Sequence, residues 1–237
     1  MQNVRKLLTM SNFQCLRSEI VPKLITQFES KFNLPMPDDA KAFRDVLGQM
    51  NARVFQAYVR PTTDALRLVI TNGIISPTYA PISIRSRPQD AKAYVYDVLL
   101  SLVIMHTEVS STTPSLTNQI LSYMLEQISS ALLHSFKQRA RYTLSALMQA
   151  TLDVEFTAQT LNNYTTEKAS EIQGQIYLAL DERTDNDARL ALQQELPEMR
   201  AILKRLRERT KGEFACFKRE RKARKDGERK ESGKTPT

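Results

Sequence analysis

Cysteine is close to absent. Cys15 and Cys216 stand far apart with no CxxC or Cys/His spacing, which excludes a disulfide framework and a zinc finger and reads as two reduced core thiols. Histidine is as scarce: His106 and His134 fall on separate predicted helices, neither with an i+4 histidine or a matched acid. Both read as core or boundary residues, and no metal site is expected. With 6 Gly and no Trp, and long runs of Ala, Leu, Gln, Glu, Lys and Arg, the chain favours helix over sheet, and no alternating strand pattern is found. Long apolar runs are missing too. The longest, around VLLSLVIM, is too short to span a bilayer, and MQNVRKLLTM leads into polar SNFQ instead of a secretory core, so the chain reads as intracellular and soluble. The sequon Asn163-Tyr164-Thr165 then meets no glycosylating enzyme. Apolar content of 41% is enough for a real core and excludes disorder throughout.

Catalytic signatures are equally thin. No Gly-x-Ser-x-Gly elbow, HExxH or dinucleotide fingerprint occurs. Gly227-ERKES-Gly233-Lys234-Thr235 has five residues between its glycines where a phosphate-binding loop needs four. DERTDND, residues 181–187, starts like a calcium loop but has Asn186 where the glycine belongs and Leu192 where the bidentate acid belongs. The stretch ALMQATLDVEFTAQTLNNYTT, residues 146–166, sets Asp153 and Glu155 among apolar neighbours. Two residues apart on a helix point about 200° apart, so the pair cannot converge on one substrate and reads as solvated acids on a doubly packed helix. No catalytic, cofactor-binding or metal-ligating residue is assigned, and the chain is expected not to be an enzyme.

Helical periodicity covers most of what is there. A first tract runs from Gln2 to Phe32, with Pro22 a kink or boundary. Leu34 to Asp39, holding Pro35 and Pro37, is a break, with Asp38 or Asp39 the N-cap of a tract in which Phe43, Val46, Leu47, Met50, Val54 and Tyr58 recur until Pro61 interrupts. A continuation ends near Asn72-Gly73. Residues 72–89, with Pro77, Pro81 and Pro88, form a long connection expected to pack against helices. A helix from Gln89 to Val109 is apolar nearly all round and is the candidate most buried element. Thr113 caps and Pro114 opens the next helix, which uses Leu121, Met124, Ile128, Leu132 and Phe136. After a turn at Arg139 to Tyr142 come the 146–166 helix, then one capped by Thr165 or Thr166 with Ile172, Ile176, Leu178 and Leu180. The last follows Leu192, Leu196, Met199, Leu203, Leu206, Thr210, Phe214 and Phe217 for roughly 30 residues. Pro197 is expected to bend it and Gly212 to weaken it.

The expected class is all-α, as elongated stacked helical bundles. It divides into an N-terminal helical segment 1–71, a Pro-rich loop 72–88, a C-terminal bundle 89–225 and a disordered tail 226–237. No fixed repeat period supports a regular solenoid.

Net charge is +8, and residues 218–237 hold nine Lys or Arg against four acids. The basicity is mainly a tail, concentrated in KRERKARK: Lys218, Arg219, Arg221, Lys222, Arg224 and Lys225. These residues read as a solvated helix end, as a contact for anionic lipid or an acidic partner, or, third, as a nucleic-acid site, a reading weakened by the lack of interleaved aromatics.

Several strings carry a resemblance. ALMQATLDVEFTAQTLNNYTT, LALDERTDNDAR, LPEMRAILKRLRERTKGEFACFK, LLTMSNFQCL, YVYDVLLSLVIMHTEVS and GIISPTYAP together resemble the C-terminal part of the Sec-five subunit of the exocyst, closest to filamentous-fungal members, over about residues 4–220. The resemblance implies a non-catalytic subunit of an eight-protein complex that tethers secretory vesicles to the plasma membrane before fusion. It further implies a rod of stacked helical bundles, other exocyst subunits as partners, and a cytoplasmic protein peripheral at plasma-membrane sites of polarised secretion. The family's N-terminal bundling helices, and the Ral-binding domain of animal members, match no residue here. Two alternatives stand beside it: a subunit of another helical-rod tethering complex, and a helical nucleic-acid-binding module using the tail.

Overall fold

The structure, a computed structural model, describes residues 2–79 and 87–218. The expected disordered tail, the Gly227–Thr235 string, and Arg219, Arg221, Lys222, Arg224 and Lys225 lie outside the described residues. Those described form an all-α bundle: α1 (Gln2–Cys15), α2 (Val21–Phe32), α3 (Pro37–Ile75), α4 (Ala93–Thr112), α5 (Thr117–Gln138), α6 (Leu144–Thr160), α7 (Glu167–Asp181) and α8 (Asn186–Arg209). A single bridge between the loop residues Tyr142 and Thr184 is the sole β-type pairing among the described residues.

Of the two prolines expected to interrupt helices, Pro22 stands at a boundary, in the first positions of α2, and Pro61 interrupts nothing. Upstream of Pro22 the backbone widens to a π turn, Leu16–Ile20, in which the Val21 N–H bonds to the Leu16 carbonyl, giving the pyrrolidine ring room that an α turn would deny it. Pro61 sits inside the unbroken 39-residue α3, about 58 Å long at 1.5 Å per residue. Its missing N–H frees the carbonyl of Ala57, and the Lys6 ammonium on α1 donates to that oxygen at 2.9 Å. The break between α2 and α3 is where the prolines predict it, closed by Asn33 in the left-handed region (φ 55°). The N-cap, however, is Met36, whose N–H donates to Glu29 Oε1 at 2.8 Å. Asp38 and Asp39 lie in the first turn instead, because Pro37 takes the first helical position.

α3 runs on to Ile75 before the connection begins. Its C-terminal end packs closely on α4 at Gly73, where an added Cβ would stand 2.6 Å from Tyr94. The described parts of the connection dock on helices as expected. Tyr79 and Pro88 are buried, Arg87 holds Glu195 of α8 through Nε and Nη2 at 2.6 and 3.1 Å, and Arg209 donates to Asp90 at 2.6 Å. Arg139 closes the same corner by donating to the Ile74 carbonyl at 2.7 Å while lying over the rings of Tyr79 and Tyr142.

The most buried helix is α6 and not α4. α4 leaves Leu100 and Ile104 exposed, whereas α6 buries an almost continuous run from Ser145 to Thr157, because α4, α7 and α8 all pack on it. α5 buries Leu121, Met124, Ile128, Leu132 and Phe136 as its periodicity predicts. Thr166 caps α7 by accepting from Ala169 N, and Asp185 of DERTDND caps α8 by accepting from Ala188 N, while Asp181 of the same string accepts from Arg189 at 3.0 Å. α8 is shorter than expected: it ends at Arg209, and the turn that follows folds Phe214 and Phe217 back into the core. One apolar cluster runs from Leu7 to Phe217.

Candidate functional site

The α6 carboxylates diverge, as their spacing requires. Asp153 is nevertheless not solvated; it is 0% exposed. Its Oδ1 accepts from the Lys92 backbone N–H at 3.0 Å and from Gln149 Nε2 at 2.9 Å. Its Oδ2 accepts from the hydroxyls of Tyr79 and Tyr94, each at 3.1 Å. Burial is the dominant influence and raises the carboxyl from 3.8 to about 6, against the pull of the four donors. The same burial, with the carboxylate alongside, pushes both tyrosine hydroxyls well above their usual range. Glu155, half-buried, faces the other way, accepting from Tyr177 of α7 at 2.5 Å and from Gln159 at 3.0 Å. Both oxygens of Asp153 are saturated by the protein, which makes it a clamp that ties the connection and α4 to α6. Tyr79, Lys92 and Tyr94 carry no local signal, since they precede Asp153 by 74, 61 and 59 positions. The Gln149–Asp153 pair, four apart on one helix, is the one legible hint.

A second feature is on the surface. On α2, Leu24, Phe28 and Phe32 are 59%, 41% and 54% exposed, and Ile20 precedes them at the same spacing. Side chains at i, i+4 and i+8 normally face a core, yet Val21 is the one buried residue of α2. The first turns of α3 repeat the pattern, exposing Phe43, Val46 and Met50 and burying little beyond Ala40 and Leu47. Since α2 packs on α3, the two helices leave apolar residues uncovered over the same end of the bundle, with Leu34 exposed on their connection. Lone exposed leucines need no explanation; a run of this extent marks an interaction surface.

Of the six tail cations, the structure describes only Lys218, exposed at the end of the short 3-10 turn Ala215–Phe217. His106 stacks edge-on to Phe217 at a boundary of the core, and His134 is exposed. Cys216 is half-buried, but Cys15 is exposed on α1, not in the core; its neighbours on the helix face outward with it. Among the described residues no three His, Cys, Asp or Glu side chains gather into a metal-holding group, and no helix is long and apolar enough to cross a membrane.

Against known proteins, the model of one family, described as exocyst complex component Sec5, matches residues 1–217. No curated protein and no solved structure matches the chain.

Proposed function

This chain belongs to the exocyst complex component Sec5 family, and from that membership we propose that it is a non-catalytic tether module, holding vesicle-side and membrane-side contacts of the exocyst at a set separation before fusion. It acts in the cytoplasm, at plasma-membrane sites of secretion. Stiff helices suit such a spacer, since α3 alone runs for 39 residues and hydrogen-bonded helix resists bending where a loop would not. The observation that carries the reading is the uncovered face of α2 and the start of α3. Its four-residue spacing fits an amphipathic helix laid alongside, so the proposed occupant is a helix of another exocyst subunit. Lys218 and the five cations that follow it in the sequence are proposed to add attraction to acidic lipid or to an acidic partner.

The test is a pull-down from filamentous-fungal lysate with the full chain as bait, the captured proteins being identified by mass spectrometry. The wild-type chain recovers exocyst subunits; a Leu24→Asp/Phe28→Asp/Phe43→Asp variant recovers at least about tenfold less, since buried apolar anchors dominate interfaces. The variant keeps its helical circular dichroism and a cooperative unfolding transition, because none of the three side chains lies in the core. Folded bait that recovers no exocyst subunit overturns the tether reading. Equal recovery by the variant overturns the assignment of the face.

A further inference from the structure

The return of the chain after α8 closes a cleft that neither the family match nor the tether reading assigns. Phe214 and Phe217 fold back against Phe156 and Tyr164, and Asn163 Nδ2 holds the return by donating to the Phe217 carbonyl at 2.7 Å. Between this return, the end of α6 and the last turns of α8 lies a cleft of about 590 Å³, within the range of roughly 300–1,000 Å³ that small-molecule sites occupy. Lys204, Arg207, Lys211 and Lys218 line it together with Asn162 and Thr210, and Glu208 is the one carboxylate in the lining.

Most of that positive charge is unspent. Among the described residues Lys204 and Lys218 have no carboxylate partner, and Arg207 donates to the neutral amide oxygen of Gln159 at 3.1 Å. Lys211 stands 3.7 Å from Glu208, both exposed, a pairing of little strength in water. Cations in the last turn of a helix complement its dipole, which accounts for Arg207. That account does not reach Lys218, which comes from a separate segment, nor does it explain why the charges converge on a concavity. Guanidinium and ammonium donors approaching a polar cleft from two sides suit a ligand with several phosphate groups. A monoanion would leave most of the charge unneutralised.

We propose that this cleft binds a compact, multiply phosphorylated anion, with Lys204, Arg207, Lys211 and Lys218 on its phosphates. The anion is either a free solute or the headgroup of a lipid; the chemistry at the cleft is the same. The inference goes beyond the tether reading and does not rest on it, since a chain that captured no subunit would still present the cleft.

The experiment titrates the full chain with inositol trisphosphate by calorimetry. In parallel it measures sedimentation with phosphatidylcholine vesicles carrying phosphatidylinositol bisphosphate, or phosphatidylserine at matched charge. Two variants are compared: Lys204→Gln/Lys211→Gln in the cleft and Arg219→Gln/Arg221→Gln/Lys222→Gln in the sequence that follows Lys218. The soluble trisphosphate binds one to one, more weakly as salt rises. The cleft variant loses at least about tenfold in affinity, as expected for removal of charge-assisted bonds, and the second variant binds the soluble probe like wild type. Preference for bisphosphate over phosphatidylserine vesicles, lost in the cleft variant, identifies a lipid headgroup as the source; soluble binding without that preference identifies a free solute. The absence of any binding to the soluble probe overturns the proposal, as does binding that survives in the cleft variant and vanishes in the other. Both cleft lysines are exposed, so unchanged helical circular dichroism separates lost binding from lost fold.

Discussion

Replacing Asp153 should destabilise the protein more in acid than at neutral pH, the reverse of what a stabilising buried carboxylate would do. Asp153→Ala leaves the hydroxyls of Tyr79 and Tyr94 and the N–H of Lys92 without their acceptor, while Gln149 keeps the Asp90 carbonyl at 3.0 Å. Three orphaned buried donors cost about 1–3 kcal/mol each. Against this stands the cost of burying the charge. A carboxyl raised from 3.8 to about 6 on folding is disfavoured in its ionised form by about 3 kcal/mol. Between pH 4 and 6 the folded state binds a proton that the unfolded state has released, so wild-type stability from this group falls with rising pH across that window and levels off above it. The alanine variant has no such group. Its deficit relative to wild type should therefore shrink by about 2 kcal/mol from pH 4 to pH 7, with a net loss of a few kcal/mol remaining at pH 7. Asp153→Asn, uncharged and of the same shape as the protonated acid, should be close to wild type at pH 7 and should likewise lack the fall. Urea unfolding followed by helical circular dichroism at the two pH values reads both differences, and subtraction between variants cancels the other carboxylates. A deficit that grows with pH would refute the reasoning, because it would mean that the four donors outweigh burial and hold the carboxyl below its ordinary value.

Two further outcomes follow from the packing. Gly73→Ala should lower stability by about 1–3 kcal/mol, seen as a reduced Tm: its Cβ would stand 2.6 Å from Cβ, Cγ and Cδ1 of Tyr94, whose hydroxyl is held by Asp153 and cannot yield freely. A double-mutant cycle on Lys6→Ala and Pro61→Ala should give a coupling of about 1 kcal/mol. Alanine at 61 restores the N–H that bonds the Ala57 carbonyl, so Lys6 matters when the proline is present and little when it is not; equal Lys6 effects in both backgrounds would show that the contact contributes nothing.

The sequence alone determined the helical class, the proline-marked break between α2 and α3, a cap at Thr165 or Thr166 and the buried stripe of α5, because all of these follow from relations within four or five residues of one another. It also settled that Asp153 and Glu155 could not act together, since helix geometry separates them whatever surrounds the helix. It could not show what covers each face. Asp153 is sealed by donors 59 to 74 positions away, Pro61 is tolerated because Lys6, 51 positions from Ala57, supplies the missing donor, and Phe217 lies in the core because the chain turns back after Arg209. The apolar spacing of α2 and of the start of α3 reads locally as ordinary core, yet those helices leave it facing outward. Periodicity reports that a helix has an apolar side; only the tertiary structure decides whether the chain itself covers that side, since the covering residues lie too far along the sequence for any local pattern to reach them.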